Sequence, residues 1–269
     1  MNWTGGLSDP DSDTTGVLVI VGPTAMGKSS VAVAVATDLG GEIISLDSRQ
    51  IYRRMTVGTA QPTKSQQGGI PHHLYQIKEP GQSISAGEFA HLAREKIAHI
   101  LGRGRRPVVC GGSGLYYRAL TRGLFEGSRS DPLIRQRLRR ELEKSGQEAL
   151  LERLGEIDPD YARIVHPNNH RRLLRALEIY EITGIPPSEH FRRQKESHFP
   201  YPLFTAYLRG SLRLIEERIR VRTGEMLDSG WIEEVKDLLD KGYGRESHPM
   251  NSLGYGQIMD YLDGRIDYD

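Results

Sequence analysis

A chain of 269 residues, 37% hydrophobic and 26% charged with a formal charge of +1, can bury one large core or two modest ones, which excludes a disordered or collagen-like protein. No run reaches the roughly 18 apolar residues of a membrane-spanning helix, and residues 1–16 are polar, with Asp9, Asp11 and Asp13 where a signal peptide would be basic and then apolar, so a cytoplasmic protein with no membrane partner is expected. The single cysteine, Cys110, can form no internal disulfide and is too few for a cysteine-based zinc site, as suits a reducing compartment.

In chain order, residues 1–16 read as a loose N-terminal tail. Val17 to Val21 is a continuous apolar run, as in a strand buried on both faces, and it ends in a glycine loop from Gly22 to Gly27. An alanine- and valine-rich helix follows over Lys28 to Leu39, then a second buried strand over Glu42 to Leu46 that delivers Asp47 at its carboxyl end. This is a βαβ unit with parallel strands. Ser85 and Glu88 form a capping box, and Phe89, Leu92, Ala93, Lys96 and Ile100 follow at helical spacing until Gly102 and Gly104 close the element. Pro107 to Cys110 is a third short strand, running into Gly111-Gly112-Ser113-Gly114. From about Leu115 to Phe199 the pattern is helical and dense in arginine. Leu203 to Leu208 returns as a strand, and Leu212, Ile215, Ile219 and Met226 mark a long helix after it. The expected fold is α/β: a P-loop parallel sheet core formed by 17–118 and 201–269, interrupted by a mostly helical insertion domain at 119–200.

The chain holds 28 arginines against 8 lysines. Arginine's planar fork matches phosphate and stacks on bases, so the excess hints at phosphate or nucleic-acid contact. A high-GC genome explains it equally well.

Gly22-Pro23-Thr24-Ala25-Met26-Gly27-Lys28-Ser29 satisfies G-x-x-x-x-G-K-[ST] without a mismatch, between a strand and a helix. In such a loop the backbone N–H groups and the helix N-terminus face a polyphosphate, the lysine adds a point charge, and the Ser29 hydroxyl can hold Mg²⁺. The alternative is a glycine turn with an incidental lysine. Nucleotide hydrolases carry a further strand ending in an acid that holds Mg²⁺. Here the third strand ends in Gly111-Gly112, and the well-placed strand-end carboxylate is Asp47.

Six segments in order, Gly22 to Ser29, Asp47-Ser-Arg-Gln-Ile-Tyr52, Gly58-Thr-Ala-Gln-Pro62, Pro71-His-His-Leu74, Gly111-Gly-Ser-Gly-Leu-Tyr116 and Arg171-Arg-Leu-Leu-Arg-Ala-Leu-Glu178, resemble the motifs of the bacterial tRNA dimethylallyltransferase family. The resemblance implies a prenyltransferase that moves the dimethylallyl group of dimethylallyl diphosphate to N6 of adenosine 37 in tRNA, with Mg²⁺ as cofactor. The P-loop then holds the leaving diphosphate rather than ATP, and the missing acid on the third strand is no anomaly. Asp47 is implied as the general base; a helix cap or a Mg²⁺ contact is its other reading. Thr24 and Lys28 are implied contacts of the diphosphate, with Arg218 and Arg222 closing on it from the far side. Those two lie four apart on one helix and share a face, Arg218 being the better candidate; a solvated stripe with Arg213 and Arg220 is the alternative.

For the acceptor, Asp47, Ser48, Arg49 and Gln50, together with Ser113, Arg135 and Arg171, Arg172, Leu173, Leu174 and Arg175, correspond to family segments that meet the tRNA anticodon arm. Arg137, Arg139 and Arg140, in a stretch that also carries glutamates, read as a solvated face. His72 and His73, being adjacent, point apart and make a poor metal pair. Cys110 is expected as a small buried residue, and Tyr116 and Tyr117 either flank the channel or pack in the core. Gly256 stands where the family usually has a basic residue, and the family's basic helix with a Lys-Arg-Gln run has no counterpart in these residues. A monomer is expected, because a tRNA arm fills the cleft. The competing readings are a P-loop kinase binding ATP with Asp47 activating a small-molecule hydroxyl, an RNA-binding ATPase, and a prenyltransferase for free adenine nucleotides.

Overall fold

The computed structural model describes residues 16–123, 130–166, 168–194 and 199–268, so the tail expected at 1–15 lies outside the described residues. Five strands, β1 (Val17–Val21), β2 (Glu42–Ser45), β3 (His72–His73), β4 (Pro107–Gly111) and β5 (Leu203–Tyr207), form one sheet in the order β3-β2-β4-β1-β5. Every neighbouring pair is parallel, with Leu18 opposite Val108, Ile44 opposite Val109 and Val17 opposite Leu203. Strands covered on both faces have no use for polar alternation, and β2 and β4 are buried along their whole length. The four longer strands coincide with the expected ones to within one residue at their ends. β3 was not expected, since a two-residue strand has no periodicity to read.

Helix α1 (Lys28–Asp38) lays Ala32 and Ala36 against Ile20, Ile43, Val108 and Cys110. Small side chains one turn apart let its backbone approach the sheet closely. Helix α2 (Ala86–Gly102) starts as the capping box indicates, the Glu88 amide donating to Ser85 Oγ at 3.1 Å, and buries Ala93, Ile97 and Ile100. Because all strands run the same way, the loops that follow β1, β2, β4 and β5 emerge at one edge of the sheet, the place where open α/β sheets bind ligands.

The described residues divide into two compact units, one comprising 16–84, 91–117 and 200–268, the other 85–90 and 118–199. After α3 (Gly114–Arg122), the second unit contains α4 (Pro132–Ile157), α5 (Pro159–Ala162), α6 (His170–Thr183) and α7 (Pro187–Gln194). Asp131 caps α4 by accepting the Leu133 and Ile134 amides, and Pro132 takes the first helical position, where no N–H is needed. Its core is Leu138, Leu150 and Leu154 of α4, Val165, and Leu173, Ala176 and Leu177 of α6. The first unit continues after β5 with α8 (Leu212–Asp228), α9 (Trp231–Asp240) and α10 (Tyr255–Leu262). No described helix is long and apolar enough to cross a membrane.

Candidate active site

The loop between β1 and α1 takes left-handed backbone conformations at Ala25 (φ 59°) and Gly27 (φ 76°), an arrangement that turns successive N–H groups toward one concavity. Lys28 Nζ donates to the Pro23 carbonyl at 2.7 Å, which holds the ammonium over the loop. Burial lowers the Lys28 pKa and the neighbouring Arg222 adds to this, while Cys110 and Asp47 act the other way.

Across the loop mouth, Arg222 of α8 donates from Nη1 to Thr24 Oγ1 at 3.2 Å. Burial pulls the Arg222 pKa down, against the attraction of Asp47 and Glu225. Arg218, one turn earlier, lines the same cleft, whereas Arg213 and Arg220 do not. The two arginines picked for a shared face therefore part from the solvated stripe, and Arg222 is hydrogen-bonded to the loop.

Asp47 lies just past β2. Its Oδ1 accepts the backbone amides of Arg49 (2.8 Å) and Gln50 (3.3 Å), closing a turn in the manner of an Asx cap. Oδ2 has no hydrogen-bond partner among the described residues. The capping role of Asp47 is thus carried by one oxygen alone, in a residue that lines the cleft. The end of β4 abuts this segment. A Cβ on Gly111 would collide with the Leu46 backbone, and the Ser113 amide donates to the Leu46 carbonyl at 3.1 Å. Glycine at 111 is required by that approach.

The cleft measures about 1280 Å³ and is lined by the P-loop, 47–50, Ser113, Arg218 and Arg222, so every candidate placed on the sheet unit opens into it. Thr56, Val57, Ala60, Gln61 and Tyr75 line it as well and were given no role from sequence. Tyr75 is held by burial at a pKa far above the ordinary phenol value, with a hydrogen bond from Ser45 opposing the shift. Gln61 and Gln76 join by a 2.9 Å hydrogen bond, and Gln61 Nε2 also donates to the Gln50 carbonyl at 3.0 Å. The motif Gly58 to Pro62 pointed to this wall without saying what it supports.

In the helical unit the candidates separate by environment. Arg171 and Arg172 are exposed. Leu173 is fully buried and Leu174 packs against the same core, so these two shape the helix rather than face a partner. Arg135 and Arg175 both pair with Glu178, at 3.0 and 2.8 Å, and Glu178 is 1% exposed. Ser130 Oγ and the Asp131 amide donate to its other oxygen. Burial would raise the Glu178 pKa, but these hydrogen bonds outweigh it and hold the carboxyl below its ordinary value.

His73 Nε2 meets Glu42 at 2.7 Å and His72 Nδ1 meets the Ile70 carbonyl at 2.8 Å. Among the described residues no group of three His, Cys, Asp or Glu side chains could hold a metal. Cys110 is buried, which pushes its thiol up to about 12. Tyr116 is buried in the core, and the Tyr117 hydroxyl meets Thr205 Oγ1 at 3.1 Å.

A sequence model of the IPP transferase family matches residues 50–269. The tRNA dimethylallyltransferase of Geobacillus thermodenitrificans is 43% identical over 257 residues, 95% of this chain and 81% of that protein. Among solved structures, the tRNA isopentenylpyrophosphate transferase of Bacillus halodurans is 38% identical, with a TM-score of 0.65 over 94% of this chain and 79% of its own. A eukaryotic dimethylallyltransferase acting on tRNA is 29% identical, with a TM-score of 0.73 over 92% of this chain and 62% of its own.

Proposed function

The chain belongs to the IPP transferase family, and on that premise we propose that it transfers the dimethylallyl group of dimethylallyl diphosphate to N6 of adenosine 37 in tRNA. As an enzyme of this family it prenylates tRNA. The observation that carries the finer reading is the convergence in one cleft of a phosphate loop, two arginines and a carboxylate with an uncommitted oxygen.

The exocyclic amine of adenine is a poor nucleophile because its lone pair is delocalised into the ring. Asp47 Oδ2 would orient that amine and take its proton as the N6–C1 bond forms. The C1–O bond of the donor breaks, and its electron pair leaves with the diphosphate. The P-loop amides, Lys28, Thr24 and Arg222 hold that leaving anion, and Arg218 adds charge from the same helix face. Fixed donors aimed at developing negative charge lower the barrier without reorganisation at the moment of reaction. The exposed Ser29 hydroxyl in the cleft is a hard oxygen donor and fits Mg²⁺, which would neutralise charge on the diphosphate.

The exposed Arg171 and Arg172 support the reading that the helical unit receives the backbone of the anticodon arm, while adenosine 37 leaves its stack to reach the cleft. One tRNA per monomer, acting in the cytoplasm, suits this arrangement. A P-loop kinase would explain residues 17–47, but the family match begins at 50 and runs through the rest of the chain.

The test is to incubate the protein with Mg²⁺, dimethylallyl diphosphate and an unmodified tRNA bearing adenosine 37, then digest the RNA and analyse it by mass spectrometry. N6-isopentenyladenosine is expected, and none when adenosine 37 is replaced. Product at another adenosine, or binding of ATP in place of the diphosphate, overturns the reading.

A further inference from the structure

Glu234 of α9 lies outside the cleft lining, yet its carboxylate accepts five hydrogen bonds, and three of them come from the cleft-lining residues Thr56 and Val57. Oε2 accepts the amides of Thr56 and Val57, both at 2.7 Å, and the Thr56 hydroxyl at 3.3 Å. Oε1 accepts the Gly58 amide at 3.0 Å and the Tyr255 hydroxyl at 2.6 Å. Three successive backbone N–H groups on one carboxylate form a socket that a loop enters in a single register. The walls of the socket are Trp231 and Tyr255, whose rings stack edge-on with centroids 5.6 Å apart. A Cβ on Gly58 would collide with the Trp231 indole and come within 2.6 Å of the Tyr255 hydroxyl, so only glycine lets the loop seat this deeply.

The seated segment leads directly to Asp47. Immediately after Gly58, the carbonyls of Thr59 and Ala60 accept Gln50 Nε2 at 3.0 and 3.2 Å. The Gln50 backbone amide in turn donates to Asp47 Oδ1. We propose that Glu234 is a positioning residue for prenyl transfer: by clamping 56–58 it fixes the Gln50 brace and so aims the free oxygen of Asp47. The proposal rests on the reading of Asp47 as the general base. It explains why a carboxylate far along the chain, 178 positions from Thr56, is committed to this loop.

Glu234→Gln nearly preserves shape but cannot preserve the clamp. With its NH₂ in the place of Oε2 the Thr56 and Val57 amides lose their acceptor, and with it in the place of Oε1 the Gly58 amide does. Glu234→Asp keeps the charge and retracts it by one methylene, and it stands in should the glutamine variant prove insoluble. Two readouts decide. Amide hydrogen exchange should show either Thr56 and Val57 together or Gly58 exchanging about tenfold faster or more in Glu234→Gln, with β1 amides unchanged. Single-turnover transfer at saturating donor and tRNA should fall by about 10²-fold, the scale of a misaligned catalytic group, with diphosphate affinity unaltered.

A double-mutant cycle with Asp47→Asn separates positioning from general destabilisation. In the Asp47→Asn background, Glu234→Gln should cost nothing further, because there is no base left to aim. Independent, multiplicative losses overturn the proposal, as do unchanged 56–58 amides or loss of their protection without loss of rate. If Asp47→Asn itself transfers normally, the base assignment fails, and with it the positioning role, while the exchange data still establish or refute the clamp.

Discussion

The Oδ1 atom of Asp47 accepts the Arg49 and Gln50 amides, so replacing the carboxylate by an amide keeps the turn while removing the proton acceptor. Asp47→Asn is therefore expected to bind diphosphate and tRNA as before and to slow single-turnover transfer by about 10²-fold or more, the usual contribution of a general base. Weakened tRNA binding with an intact transfer rate would assign Asp47 to recognition instead. The two arginines of α8 are not equivalent either. Arg222 is partly desolvated and already bonded to Thr24, whereas Arg218 lines the cleft without such a bond. Arg222→Lys keeps the charge but loses the planar fork, and a loss of about 10²-fold in transfer is expected, the scale of removing one fixed donor from a developing anion. Arg218→Lys should cost less; the reverse order, measured under the same single-turnover conditions, would make Arg218 the principal contact. The preference for Arg218 had no support in spacing, since residues four apart on a helix share a face equally. Only the position of Thr24 relative to α8 distinguishes them, and that is a tertiary fact.

At the edge of the sheet, one buried carboxylate joins two strands to the segment after α2. Glu42 opens β2 at 2% exposure, and it is bonded to His73 of β3 at 2.7 Å and to Arg103 beyond α2 at 2.8 Å. Burial alone would raise its pKa, but the hydrogen bonds from His73 and Arg103 outweigh this and hold the carboxyl below its ordinary 4.5. A carboxyl depressed in the folded state stabilises the fold above its unfolded pKa, and that stability is lost as pH falls through the folded value. Urea midpoints for the wild-type protein should therefore drop steeply below pH 4.5, and Glu42→Gln should be less stable at neutral pH with a shallower acid limb. Identical acid limbs would show that the cluster contributes no proton linkage. Such clusters are hard to read from sequence. β1, β2, β4 and β5 announce themselves by apolar runs, and the P-loop by glycine spacing, because those signals are local. β3 spans two histidines, and α9 and α10 were not anticipated, though Trp231, Val235 and Leu238 are buried at helical spacing. The helix α6 shows the same limit. Its arginine-rich start reads as one basic surface, yet Arg175 is drawn inward to Glu178 with Arg135, which lies 43 positions away, leaving Arg171 and Arg172 outside.

For the whole molecule, a net charge of +1 means that affinity for tRNA cannot come from a diffuse positive field. Local contacts have to supply it, and many of the 28 arginines are already committed: Arg53, Arg103, Arg135, Arg153, Arg175 and Arg245 all pair with acids of the fold. Composition alone thus overstates the basic surface, and burial and pairing decide which residues remain for a phosphate. On the helical unit, Arg171 and Arg172 are exposed at the start of α6. Each phosphate neutralised by a side chain releases about 0.7 to 0.9 of a counterion, so the slope of log affinity against log salt counts the contacts. Replacing both arginines by alanine is expected to flatten that slope for tRNA by about 1 to 2 units and to weaken binding, while transfer at saturating tRNA stays unchanged, because neither residue lines the cleft. An unaltered salt slope would move the anticodon arm off this face of the helical unit. A fall in the saturated transfer rate would instead mean that α6 helps to present the adenosine, which binding alone would not require.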